Sequence, residues 1–145
     1  MKVAKFGGSS LSSSTQLKKV SNIIQNDSDI GAVVVSAPGK RFEEDIKVTD
    51  LLIALHANKI TGLPYNEALD AILSRYEEII TGLEIDFHLL DKFRKTILSY
   101  LENITDNDRL LDALKSCGED FNAQMLAKYL SQEGTPAKYY SPVSY

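Results

Sequence analysis

Two short apolar runs, each stopped by glycine, constrain this chain more than any other feature. Val3-Ala4-Lys5-Phe6 ends at Gly7-Gly8, and the β-branched run from Ala32 to Val35 ends at Ser36-Ala37-Pro38-Gly39. Both read as buried strands bounded by turn residues. Between them Leu17, Val20, Ile23 and Ile24 recur at helical spacing, behind a serine-rich stretch from Ser9 to Thr15 that supplies N-cap candidates. A strand–helix–strand unit crosses over right-handed and sets its strands parallel, so both glycine-bearing turns emerge at one rim of the sheet. Ligands of open parallel sheets bind at that carboxyl rim.

The rest of the chain has helical periodicity. Leu51, Leu52 and Leu55 form one apolar face after a cap at Thr49 or Asp50. Leu69, Ile72, Leu73, Tyr76, Ile79 and Ile80 form a second, and Leu90, Phe93, Ile97 and Leu101 a third. Gly62-Leu63-Pro64 and Gly82 mark the breaks between them. A last stripe, Leu110, Leu114, Cys117, Phe121, Met125 and Tyr129, keeps its period through Gly118, which predicts one long helix or two in close register. Ala137 to Tyr140 reads as a third strand after a helix stop at Gly134. The expected fold class is α/β, a parallel sheet core with a helix-rich insertion. Three strands would make a narrow sheet with an unpaired edge, which reads as a truncated fold or fragment.

Composition decides what to exclude. A net charge of −4 gives no basic excess for nucleic acid or an anionic membrane, so neither partner is expected. One cysteine and two histidines, His56 and His88, build neither a disulfide nor a cysteine-type metal site, so no protein-held metal is expected. The opening residues lack the apolar core of a signal peptide, and no apolar run approaches the ~18 residues of a membrane span. The expected location is cytoplasmic.

Three places can carry chemistry. In Lys5-Phe6-Gly7-Gly8-Ser9-Ser10, two glycines let backbone N–H groups meet a ligand with no Cβ in the way, and the preceding lysine adds a point cation. The helix that follows is expected to point its positive end at the same place, which together describes a phosphate cradle. The alternative is a plain strand-to-helix turn with Lys5 reaching solvent. Ser36 closes the second strand at the same rim, or simply makes a turn, and the charged stretch from Arg41 to Lys47 is a solvated loop or a mobile lid. Glu119 follows Gly118 in the long helix, where missing bulk permits close approach of another group and an acid could receive an amine. Cys117, on the apolar stripe, is a small core residue, His56 packs along its helix, and His88 sits near a helix start.

Taken in order, Lys5-Phe6-Gly7-Gly8-Ser9-Ser10, Val33-Val34-Val35-Ser36-Ala37, Val48-Thr49-Asp50-Leu51-Leu52 and Ser116-Cys117-Gly118-Glu119 with Ala123-Gln124-Met125-Leu126-Ala127 resemble the aspartate kinases of the amino-acid kinase superfamily. The resemblance covers residues 1–145 and matches the amino-terminal lobe of that family's catalytic domain. It implies a three-layer αβα fold and an ATP-dependent phosphorylation of the L-aspartate β-carboxylate to 4-phospho-L-aspartate, with Mg2+ as MgATP, on the route to lysine, threonine and methionine. Lys5 would contact the transferring phosphoryl group, the amides of Gly7, Gly8 and Ser9 would hold phosphates, Ser36 and Thr49 would position aspartate, and Glu119 would receive its ammonium. A homo-oligomer is compatible with the family. The family's nucleotide lobe and regulatory ACT domains have no counterpart here, so the chain alone is expected to be inactive. Two other readings stay open: a related kinase acting on glutamate, acetylglutamate, carbamate or a nucleotide, and a non-catalytic metabolite-binding module.

Overall fold

A computed structural model describes residues 1–141. The order is β1 (Lys2–Phe6), a single 3-10 turn (Gly8–Leu11), α1 (Ser14–Gln25), β2 (Ile30–Val35), α2 (Val48–Ile60), α3 (Asn66–Leu83), α4 (His88–Asn103) and α5 (Asn107–Gln132). The strands pair in parallel, with Lys5 opposite Val34 and Phe6 opposite Val35, and so end together at one rim. Alternation divides the sheet. Phe6, Val33 and Val35 join the core, whereas Val3, Lys5, Ala32 and Val34 stand exposed on the opposite face.

Helix α5 runs unbroken through Gly118 and packs against α2, α4, α1 and β2. At its middle, Phe93 and Phe121 stack with ring centroids 4.0 Å apart, and Tyr76 meets both edge-on at 5.6 and 5.4 Å. All three rings are fully buried, and each such pair adds about 0.5–1.5 kcal/mol beyond the area it removes from water. This cluster fixes α3, α4 and α5 relative to one another.

The local signals hold in part. Ser13 caps α1 by accepting from the Gln16 amide, as the serine-rich stretch suggests. Helix α2 starts at Val48 with Lys47 before it, so Thr49 lies inside the first turn and caps nothing. Gly62 stops the following turn with φ +74°, a left-handed conformation that glycine adopts without steric cost. Gly82 does not end its helix. Helix α3 continues to Leu83, and Glu84 closes it in the left-handed region. Glycine at 82 serves packing instead, because a Cβ there would run into the Ser14 side chain at the start of α1. Residues 137–140 form no strand. The amide and carbonyl of Ala137 bond the Ser131 hydroxyl, so this segment folds back on the end of α5 and its polar groups are taken by a side chain rather than a ladder.

Candidate active site at the carboxyl rim of the sheet

The parallel pairing brings the Gly7-Gly8 and Ser36–Gly39 turns to the same rim, where they touch. The Gly39 amide donates to the Gly8 carbonyl at 2.8 Å, and the Ser36 amide to the Phe6 carbonyl at 3.2 Å. A Cβ on Gly39 would stand 2.7 Å from the Gly8 carbonyl carbon, and one on Gly8 would stand 3.0 Å from the Ala37 carbonyl oxygen. Backbone meets backbone here: a side chain at 39 would force the two turns apart, and one at 8 would be tight. Gly7 differs: a Cβ there meets nothing within 4 Å. Its backbone is exposed, open to a ligand, and extended at φ −82°, ψ 170°, so the fold places no demand for glycine at this position. Beside it Lys5 and Ser9 are exposed, and Lys5 makes no ion pair or hydrogen bond among the described residues.

One expectation fails at this turn. The helix that follows Gly7 is a single 3-10 turn, and α1 starts only at Ser14. The dipole of a long helix is therefore not aimed at the glycines, and any anion there must rely on loop amides and Lys5.

Ser36, Thr49 and Glu119 come together. With Ala37 on one wall and Asp112, Lys115 and Ser116 on the other, they line an open cleft of about 490 Å³. Helix α5 seats the Ser36 turn through two features. Gly118 lets Ala37 press against the helix, since a Cβ at 118 would stand only 2.6 Å from the Ala37 Cβ. One turn further on, the fully buried Asn122 donates from Nδ2 to the Ser36 carbonyl at 2.9 Å. Glu119 lies between these two contacts, so the approach expected at Gly118 brings the Ser36 turn to the carboxylate. Among the described residues Glu119 and Lys115 have no ion-pair partner, although the helix places them four residues apart on one face. Asp112, Lys115 and Asn122 carried no signal in the sequence, being ordinary helix residues whose partners lie far away in the chain. Lys5, Gly7, Gly8 and Ser9 do not line the cleft itself; they adjoin it through the Gly8–Gly39 contact.

The charged stretch 41–47 is a largely exposed loop, tied down by Arg41 and Arg75, and it lines no part of the cleft. Arg41 donates from its amide, Nε and Nη2 to Asp45 and from Nη1 to Glu78 on α3, while the buried Arg75 donates to the Ile46 carbonyl at 2.7 Å. The Arg41 guanidinium holds the Asp45 carboxyl well below the usual carboxylate range. Burial pulls Arg75 below its ordinary value, Arg41 adds to that, and Asp45 and Glu78 oppose it.

The remaining single residues keep structural roles. Cys117 is buried, and burial followed by the nearby Asp120 pushes its thiol up to about 12, far from a usable thiolate. His56 is buried with Nε2 2.8 Å from the Asn107 carbonyl, and His88 opens α4 beside Asp86. Among the described residues, no group of three or more His, Cys, Asp or Glu could hold a metal ion, and no helix is long and apolar enough to cross a membrane.

Comparison with known proteins adds three findings. Residues 1–145 match the amino acid kinase family. Aspartokinase 3 of Bacillus subtilis is 43% identical over 143 residues, which is 98% of this chain and 32% of that protein. The crystal structure of Clostridium acetobutylicum aspartate kinase superposes with a TM-score of 0.78 at 40% identity, over 89% of this chain and 29% of that one. E. coli aspartokinase III, crystallised with aspartate and ADP, gives a TM-score of 0.69 over 90% of this chain and 29% of its own, and at 22% identity this is a likeness of fold. The chain thus spans about a third of the length of the relatives it matches.

Proposed function

Since this chain belongs to the amino acid kinase family, we propose that its carboxyl rim forms the acceptor side and part of the phosphate side of an aspartate kinase active site. The observation that carries this reading is the meeting of Ser36, Thr49 and Glu119, from a turn, a helix start and a helix middle, in one cleft joined to the Gly7-Gly8 turn. These residues form the amino-terminal lobe of the catalytic unit, and contacts to adenine and ribose are assigned to none of them.

The chemistry asks for alignment and charge rather than for a base. A β-carboxylate, with an ordinary pKa near 4, is already ionised at neutral pH, so its oxygen can attack the γ-phosphorus of ATP directly as the bond to the ADP oxygen breaks. Glu119 receives the substrate ammonium, and the hydroxyls of Ser36 and Thr49, which have no hydrogen-bond partner among the described residues, hold the carboxylate end. The amides around Gly7, Gly8 and Ser9 hold the phosphates, and Lys5 offsets charge that spreads over the transferring oxygens. Among the described residues no cluster fits Mg2+; bound with the nucleotide, it would supply neutralisation of phosphate charge.

Titration of L-aspartate into the protein and its Glu119→Gln variant tests this. Loss of a charged hydrogen bond worth about 1.5–3 kcal/mol weakens affinity at least tenfold. Glu119 is exposed, so folding should be unaffected. Equal affinity in the two proteins would remove the ammonium site and with it this reading.

A further inference from the structure

Arg75 stands out as a buried charge that the proposed chemistry does not use. It sits in the middle of α3, only 4% exposed, on a helix whose other buried residues are apolar. Its guanidinium donates to three backbone carbonyls from different stretches of chain: Gly39 at 2.7 Å and Ser12 at 3.4 Å through Nη2, and Ile46 at 2.7 Å through Nη1. Asp45 lies 3.6 Å from Nη1 and is itself held by Arg41. Ser12 directly follows the 3-10 turn that begins at Gly8, and Gly39 ends the turn that begins at Ser36. One planar fork therefore ties the far ends of both rim turns to α3, and the flexible, three-donor ammonium of lysine could not reproduce that geometry.

We propose that Arg75 is a positioning residue that sets the spacing between the phosphate-side turn and the acceptor-side turn. It touches no substrate. It acts through Gly39 and Ser12, and this assignment of what the turns bind rests on the function proposed above. A lone ion pair on the surface would leave the turns free, but a buried guanidinium whose Nη1 and Nη2 donate to three backbone carbonyls cannot shift without leaving those carbonyls and its own charge unsatisfied.

The test compares the protein with Arg75→Met, Arg75→Lys and Leu101→Ala, the last a buried cavity variant on α4, a helix that lines no part of the cleft. Amide exchange is followed at residues 8–13 and 36–39, and L-aspartate affinity by titration. Arg75→Met is expected to speed exchange at both turns at least tenfold and to weaken aspartate binding at least tenfold, with Arg75→Lys in between. Leu101→Ala is expected to lower the melting temperature and leave aspartate affinity unchanged. Should Arg75→Met not fold, Arg75→Lys with Asp45→Asn carries the same comparison. Unchanged exchange at the two turns would overturn the proposal, as would an affinity loss in Leu101→Ala equal to that in Arg75→Met. If aspartate binds and Glu119→Gln weakens it while Arg75→Met does not, this inference fails and the acceptor-site reading stands. If aspartate does not bind at all, the reading fails and the exchange rates alone decide the role of Arg75.

Discussion

Replacing Gly118 by alanine pits two known effects against each other, and their balance is set by the distance to Ala37. In the middle of a 26-residue helix, glycine to alanine alone would stabilise by about 1 kcal/mol. Here the new methyl would stand 2.6 Å from the Ala37 Cβ and 3.4 Å from Leu52 Cδ1, and two methyl carbons need nearly 4 Å. Helix α5 and the Ser36 turn must separate by roughly 1 Å, an overpacking cost of about 1–3 kcal/mol. The expected net effect is a loss of about 1 kcal/mol, or roughly 3 °C in melting temperature for a domain of this size. The functional loss should be larger, because the same separation lengthens the 2.9 Å bond from Asn122 to the Ser36 carbonyl and moves Ser36 away from Glu119. Thermal unfolding and aspartate titration measure the two effects separately. Adding Ala37→Gly removes the opposing methyl and should recover both, with a coupling energy of about 1–2 kcal/mol in the cycle. A Gly118→Ala protein that is more stable than its parent and binds aspartate equally well would refute the close-approach argument.

Two further outcomes follow from the same geometry. Gly7→Ala, at an extended φ with open space around its Cβ, should leave folding intact or stabilise it by about 0.4–1 kcal/mol, yet weaken binding of MgATP or inorganic pyrophosphate; unchanged anion binding would mean that glycine 7 serves no ligand. Because Arg41 holds the folded-state Asp45 pKa below its unfolded value near 4, its stabilisation is full above that pH and is lost as acid takes the carboxyl through its depressed folded value. The stability gap between the protein and Asp45→Asn, about 1 kcal/mol at neutral pH, should therefore hold constant down to about pH 4 and shrink below it in denaturant titrations. A gap that shrinks between pH 5 and 7 would exclude Asp45 as the group responsible.

What could be read beforehand follows from how local each signal is. The β1–α1–β2 unit, the shared rim and the unbroken course of α5 rest on periodicities and turn residues within a few positions of one another. The order of four short segments carried the functional reading, and five of their residues, Ser36, Ala37, Thr49, Ser116 and Glu119, line the cleft. Arg75 was illegible because its three carbonyls lie 29, 36 and 63 residues away, and a single charge on an apolar stripe looks like a solvated helix residue. The strand expected at Ala137–Tyr140 failed for a related reason. Its composition suits a ladder, but the Ser131 hydroxyl already takes the Ala137 amide and carbonyl. Gly82 looked like a stop, whereas its role depends on Ser14, a residue almost seventy positions earlier.

The abutment of Gly8 and Gly39 limits how such a site can be re-tuned. With no side chain between them to absorb a displacement, a shift in residues 36–39 passes directly to the Gly7-Gly8 turn. On the proposed function, redesigning the chain for a longer or shorter acid by moving residues 36–39 would therefore disturb the phosphate side as well. On the proposed function, changes on the α5 wall, at Asp112, Lys115 or Glu119, would alter the acceptor side of the cleft without that penalty.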